Sequence, residues 1–216
     1  GEKPSEPYAI IFEDEHLLVV DKASGLLSVP GKDSGSESLL GLLQRRENAL
    51  NSCTAHRGPK IYPVHRLDMD TAGLMVFART EAAQAALRRQ FEERKVLKTY
   101  LARIDASENL ALKEGDSGLI ELPMLSDFAD RPRQRVDFEE GKRAVTAYEV
   151  LKSYEGGGLL LRFRPETGRT HQLRVHCAHM GFPILGDPQY GSPESMELSR
   201  QLGLETKAQK RWFIAA

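Results

Sequence analysis

Cysteine, net charge and long apolar runs are all scarce in this chain. Its 216 residues include two cysteines, Cys53 and Cys177. Two are too few for a disulfide framework, and their separation fits no metal knuckle, so reduced thiols are expected. Against 31 Asp and Glu stand 30 Lys and Arg, a formal net charge of -1. That balance excludes a protein that holds polyanions by bulk charge, and any nucleic-acid site must be a local patch. No apolar run approaches the roughly 18 residues of a membrane span, and the opening GEKPSEPY has no basic stretch followed by an apolar one. A soluble, cytoplasmic protein without a membrane partner is expected. Repeats and low-complexity tracts are absent too. What the chain does have is 40% hydrophobic residues, enough for the core of one sizeable domain.

Local patterning supplies the elements. Residues 10–29 read as a short strand, a charged turn, a second strand at Leu17–Val20 and a turn at Gly25. From Ser36, the spacing of Leu39, Leu40, Leu42 and Leu43 predicts an amphipathic helix ending at Arg45, Arg46 and Glu47. Asn51 to Lys60 is polar, carries a Gly-Pro pair and reads as a loop. Leu74 to Phe77 is a continuous apolar run that reads as a strand buried on both faces. Thr80 is placed to cap a helix in which Ala83, Leu87 and Phe91 repeat, with Glu81 at its start and Arg94 and Lys95 at its end. Strands are then expected at Leu97–Asp105, Gly118–Leu122, Gln134–Phe138, Ala144–Tyr154 and Leu159–Arg164, the last hairpin turning through Gly156, Gly157 and Gly158. Strands that cluster rather than alternate with helices imply an α+β fold: a mixed, largely antiparallel central sheet with flanking helices.

Polar residues gather where such a fold would not spend them. YPVHRLDMDTAGLMVFART at 62–80 sets His65, Arg66, Asp68 and Asp70 directly before the apolar run. A carboxylate beside a core must be paired or hydrogen-bonded, or it takes up a proton. The stretch TGRTHQLRVH at 167–176 offers the partner. A turn at Gly168 and a cap at Thr170 would start a helix with Arg174 on the cap's own face. A guanidinium grips a carboxylate with two hydrogen bonds, so Arg174 is the candidate to meet Asp68. Architecture alone also uses such pairs.

Other readings compete at each place. Tyr100, on an alternating strand, is by default a core aromatic with a bonded hydroxyl. His171, His176, Cys177 and His179 hint at a metal, but no second ligand pair at a recognisable spacing supports one. If residues 65–70 were extended, Asp68 and Asp70 would face the same way and could be the carboxylates of a glycoside hydrolase or nucleosidase. Two basic clusters flank the acidic motif: Arg88, Arg89, Arg94, Lys95 and Lys98, then Arg131, Arg133 and Arg135 at alternate positions around Pro132. They are either solvated faces or a groove for phosphates.

Taken together, the motifs resemble a known family. HRLDMDTAG at 65–73 resembles the H-R-L-D-x-x-T-S-G signature of RluA-type pseudouridine synthases, with Ala72 where the pattern has Ser. LKTYLARI at 97–104 is similar to the family's second motif and GRTHQLRVH at 168–176 to its third. The likeness runs from about Ile10 through DKASGLLSVPG at 21–31 and GDPQYG at 186–191 to the end of the chain. DRPRQRVDFEEGKRAVTAYEV at 130–150 is similar to a segment of the small single-domain members, which act on a uridine in large-subunit ribosomal RNA and one in a tRNA anticodon stem-loop.

The resemblance implies a single catalytic domain over residues 10–216 behind a short extension at 1–9. It further implies no S4 RNA-binding domain, and a final strand left incomplete at KRWFIAA. The implied reaction converts uridine to pseudouridine in structured RNA by a monomer that needs no cofactor and no metal. Asp68 would be the catalytic carboxylate, Arg174 its cation, and Tyr100 the ring that stacks on uracil and assists proton removal from C5. A target base in a stem must be flipped out, and Arg66 would fill the vacancy. His65, Lys98, Arg131, Arg133 and Arg135 would complete the RNA contacts. A catalytically silent RNA-binding module would share the contacts and lack the reaction.

Overall fold

A computed structural model describes residues 6–31, 36–50, 60–107 and 112–204. Cys53 lies outside them. The chain divides into two compact units, Gly1–Val96 and Leu97–Ala216.

In the first unit, strands β1 (Tyr8–Glu13) and β2 (Leu17–Lys22) form the expected antiparallel hairpin. The Asp14 carboxylate makes its turn by accepting the backbone N–H groups of His16 and Leu17 at 2.8 and 2.7 Å. Helix α1 (Leu39–Leu50) follows, then β3 (Tyr62–Pro63), β4 (Gly73–Ala78) and helix α2 (Glu81–Glu92). The sheet order is β1-β2-β4-β3, antiparallel throughout. Thr80 caps α2 as expected, its hydroxyl accepting Ala83 N–H at 3.1 Å.

Two expectations fail in this unit. Strand β4 is not buried on both faces: Met75 and Phe77 are inside, while Leu74 is 49% exposed and Val76 half-buried. Leu74 and Val76 fall on the strand's second face, which is only partly covered, and a run of four apolar residues cannot reveal that. Helix α1 starts three residues later than Ser36, where Ser38 accepts Gly41 N–H at 3.2 Å, and it runs past the charged triplet. Glu47 ends nothing because it is fully buried between Arg46 and Arg79.

The second unit is built on β5 (Tyr100–Ile104), β6 (Ser117–Glu121), the short pair β7 (Met124–Ser126) and β8 (Gln134–Val136), then β9 (Val145–Ser153) and β10 (Leu159–Pro165). Helices α3 (Gln172–His179) and α4 (Pro193–Gln201) complete it. Its main sheet runs β5-β10-β9-β6, antiparallel, and β7-β8 forms a separate ribbon. The β9–β10 turn needs glycine: Gly158 has φ 81°, and a Cβ there would sit 2.8 Å from the Ile104 carbonyl oxygen. Alternate residues of β5 and β10, Ala102, Ile104, Leu161 and Phe163, meet Leu173 and Cys177 of α3 together with Phe182 and Ile184. Fully burying a side chain such as Phe163 contributes about 2–3 kcal/mol, so this core fixes where α3 starts. The fold is α+β with antiparallel sheets.

Candidate active site

In the first unit, the loop carrying the H-R-L-D motif is fixed by its backbone. Leu67 is buried, and its N–H and C=O both bond the buried Ser28 hydroxyl, at 3.1 and 2.7 Å. His65 stacks on Phe91 with ring centroids 4.7 Å apart, and its Nε2 accepts Val76 N–H at 3.0 Å, which places the proton of the neutral ring on Nδ1. Thr71 N–H donates to the Asp68 carbonyl at 3.1 Å and closes a turn over residues 68–71. Residues 65–70 are therefore not an extended strand, and the premise that aimed Asp68 and Asp70 in one direction does not hold. Asp68 is half-buried, and Arg66 is exposed.

Beneath this turn lies a residue to which the sequence reading gave no role. Lys22 is fully buried, and its ammonium donates to the carbonyls of Ala23 (3.0 Å), Leu26 (2.8 Å) and Met69 (2.9 Å). Three N–H groups meet three acceptors, so the ammonium is satisfied. Burial pulls its pKa down to about 8, and the nearby charges of Asp70 and Asp68 oppose that fall. Ser24 adds a bond from its hydroxyl to the Asp70 carbonyl at 2.8 Å, and Gly25 N–H bonds Met69 O at 2.9 Å. The signal for Lys22 was in the strand period. Leu18, Val20 and Lys22 alternate onto one face of β2, and a lysine at an inward position needs a reason.

In the second unit, Arg174 sits in the first turn of α3, and its guanidinium grips Asp187 through Nε and one terminal nitrogen, both at 2.8 Å. Gln189 accepts a further bond at 3.1 Å. The pair is buried, with 8% and 1% of the two side chains exposed. The sequence reading omitted Asp187 because GDPQYG carries no pattern pointing to α3. The cap of α3 also differs from expectation: Thr170 precedes the helix, and the capping position belongs to His171, whose backbone is left-handed (φ 54°) and whose side chain makes no cap bond. Gln172 holds the helix start instead. Its amide donates to Val145 O and the Thr146 hydroxyl, and its oxygen accepts from the Thr167 hydroxyl and Arg169 N–H.

The remaining sequence candidates fall around this helix. Lys98 reaches the third motif: a Cβ at Gly168 would lie 3.6 Å from its ammonium nitrogen. Tyr100 is half-buried against the core, in register with Phe163. His176 is fully buried with its two ring nitrogens on the Thr146 hydroxyl (3.0 Å) and Leu122 O (3.1 Å), and burial lowers its pKa. No cluster of three or more His, Cys, Asp and Glu suited to a metal occurs among the described residues. Arg131, Arg133 and Arg135 are exposed on the ribbon and its turn. Arg131 lies 4.8 Å from the Phe128 ring, Arg133 lies 5.4 Å from the Tyr190 ring and 3.7 Å from the Asp130 carboxylate, and Arg135 pairs with the Asp137 carboxylate at 2.9 Å.

Comparison with known proteins agrees with these motifs. Residues 16–179 match the family model described as RNA pseudouridylate synthase. The chain is 41% identical over 206 residues to the dual-specificity RNA pseudouridine synthase RluA of Escherichia coli K12, covering 94% of this chain and 87% of that protein. It is 42% identical over 198 residues to the RluA of Yersinia pestis, covering 92% and 89%. Among solved structures it is similar to human RNA pseudouridylate synthase domain containing 1, with a TM-score of 0.72, 25% identity, and coverage of 100% of this chain and 79% of that one. The match spans the strand of Lys22, the loop of Asp68 and the helix of Arg174, and the chain belongs to the RluA-type RNA pseudouridine synthases.

Proposed function

We propose that the protein converts specific uridines of structured RNA to pseudouridine, with large-subunit ribosomal RNA, a tRNA anticodon stem-loop or both as its substrates. The observation that carries this is the family match across a loop whose backbone is fixed under Asp68 by Lys22, Ser24 and Ser28. A carboxylate on so rigid a loop is pre-organised for work at the sugar and ring of one nucleotide. No cofactor is required, because the reaction breaks the N1–C1′ bond, turns the uracil and joins C5 to the same carbon. We assign Asp68 as the catalytic carboxylate, Arg174 as the cation that serves it, and Tyr100 as the ring that stacks on uracil and aids departure of the C5 proton. The exposed Arg66 occupies the space of the flipped base. His65, Lys98, Arg131, Arg133 and Arg135 complete the RNA contacts, the arginines chiefly to phosphates. The enzyme acts as a monomer in the cytoplasm.

Transcripts of both RNA classes carrying uridine tritiated at C5 test the proposal. Tritium released to water with the base still attached is expected, whereas free uracil, or no release from either RNA, overturns it. Asp68→Asn should abolish release, on the order of a thousand-fold or more, while RNA binding largely survives. Asp70→Asn should retain activity. Equal damage from the two changes would remove the assignment of Asp68.

A further inference from the structure

Tyr190 stands where the arginine-bearing ribbon, the start of α3 and the loop of Asp187 meet. Its hydroxyl accepts the backbone N–H of Gln134, the first residue of β8, at 2.9 Å. The same oxygen lies 2.7 Å from Nδ1 of His171 and donates its own proton to that nitrogen when the imidazole proton is on Nε2, or accepts from it when Nδ1 is protonated. Its ring carries the Arg174 guanidinium at 4.8 Å and that of Arg133 at 5.4 Å, both within cation–π range. One side chain therefore touches the strand of the ribbon, one of the ribbon's arginines, the capping residue of α3 and Arg174.

The surroundings make this more than a chance contact. His171 holds a left-handed backbone that a residue with a Cβ rarely adopts, and no side-chain cap supports it. Its imidazole bonds Tyr190 instead. Tyr190 is itself fixed, since the Asp187 carboxylate that grips Arg174 also accepts the N–H groups of Gln189 (2.9 Å) and Tyr190 (3.1 Å). Below the ring, Met124 of β7, Val136 of β8 and Val175 of α3 share a small apolar cluster, so ribbon and helix cannot shift independently without opening it.

We propose that Tyr190 is a positioning residue that couples RNA contact at the ribbon to the placement of Arg174. An RNA phosphate drawn to Arg133 pulls charge toward the exposed side of the ring and fixes the ribbon. Through the Tyr190 hydroxyl it then fixes the left-handed start of α3, three residues before Arg174. The coupling rests on the assignment of Arg174 to the reaction made above. It adds that recognition and chemistry are joined by one residue outside the three sequence motifs.

The test separates rate from binding. Single-turnover release of tritium at saturating RNA, and filter-bound affinity, are measured for wild type, Tyr190→Phe, Tyr190→Leu, Arg133→Ser and the Tyr190→Leu/Arg133→Ser double variant. Thermal unfolding checks that each is folded. Tyr190→Phe keeps the ring and loses both hydroxyl bonds, so its rate should fall about 10-fold with affinity within about 2-fold of wild type. Arg133→Ser should lose affinity and about 3-fold to 5-fold in rate, and in the Tyr190→Leu background it should still lose affinity but no further rate. Rate losses that multiply in the double variant, or Tyr190 variants that lose only affinity or only folded protein, overturn the proposal. Hydrogen exchange gives a readout without catalysis. RNA should slow exchange at the amides of residues 172–175 in wild type and not in Tyr190→Leu, and equal slowing in both overturns the coupling even if no uridine is converted. Absence of conversion by wild type with that difference intact would instead sink the enzymatic assignment and spare the coupling.

Discussion

Lys22 and Arg174 are both buried cations, yet they organise their surroundings in different ways. The ammonium of Lys22 gathers carbonyl oxygens from residues 23, 26 and 69, so its hydrogen bonds fix backbone. The guanidinium of Arg174 is a planar fork matched to one carboxylate, Asp187, with Gln189 at its edge. A point charge suits the first task and a fork the second. Asp68 stands on a loop whose backbone Lys22 holds at the Met69 carbonyl, and the assignment of that carboxylate to the reaction asks the loop to stay where this bond puts it. In the Arg174 region nearly every side chain is committed to another, and a change at one is felt by the rest.

The largest effect expected from this contrast is at Asp187. Asp187→Asn keeps the volume and removes the charge, leaving Arg174 without its bidentate partner, at a cost on the order of 3–5 kcal/mol in unfolding free energy. Urea denaturation measures it. Arg174→Met should cost a similar amount, and the double variant much less than the two together, because each single change breaks the same pair. A loss below about 1 kcal/mol for Asp187→Asn would place the pair with ordinary surface ion pairs and dissolve the contrast.

A smaller effect on stability, with a distinctive pH signature, is expected at Lys22. Lys22→Met strands three carbonyl acceptors and should cost about 2 kcal/mol. The sign with pH follows from the depressed value. Folded Lys22 titrates near 8 against 10.5 for the ordinary side chain, so between those values the unfolded chain binds the extra proton. The contribution of Lys22 to stability therefore grows as pH rises through that window, by up to about 3 kcal/mol. Catalysis should move the other way, because the neutral amine has two N–H groups for three carbonyls and the loop under Asp68 slackens. Stability differences between wild type and Lys22→Met from pH 7 to 10.5, set beside single-turnover rates, check both limbs. A rate that holds to pH 10 would show that the clamp does not depend on the charge.

How far these two regions were legible in the sequence differs for the same physical reason. Strands β1, β2, β5, β9 and β10, helix α2 and its Thr80 cap followed from local period and capping chemistry, which neighbouring residues settle among themselves. The family was legible through the 65–73 and 168–176 motifs because each is contiguous. The partners Asp187 and Tyr190 were not, because each is fixed by a contact between separate segments of the chain, whereas Lys22 was legible as an inward residue of β2 and only its carbonyl partners were not. Asp187, for instance, lies 13 residues from Arg174 across a helix and a turn. Helix α4 was a different kind of miss, since Ser192 accepting Ser195 N–H at 3.1 Å with Pro193 at the first position is a local start signal that was available and not used. The rule that a long apolar run is buried on both faces misled at Leu74, because burial of the second face depends on what covers it.

The smallest expected effect concerns the ribbon, where the contrast between committed and available side chains can be sharpened. Arg131, Arg133 and Arg135 have partners, but these are aromatic faces and two surface ion pairs, Arg133 with Asp130 and Arg135 with Asp137, each worth about 1 kcal/mol or less. An incoming phosphate can displace such contacts at little cost, which cannot be said of the Arg174 pair. A chain of net charge -1 must bind RNA through contacts of this local kind, and affinity should fall steeply with salt as condensed counterions are released. Replacing the three arginines with serine should weaken stem-loop binding by about 10-fold or more at moderate salt and flatten the plot of log affinity against log salt by up to about 2–3 units of slope. Turnover of RNA already bound should fall by far less than in Asp68→Asn, since the proposal gives the ribbon the RNA backbone to hold and Asp68 the reacting atoms. Stability should barely change, because nothing in the core rests on these side chains. An unaltered affinity and slope in the triple variant would move the phosphate contacts to the stretch from Arg88 to Lys98.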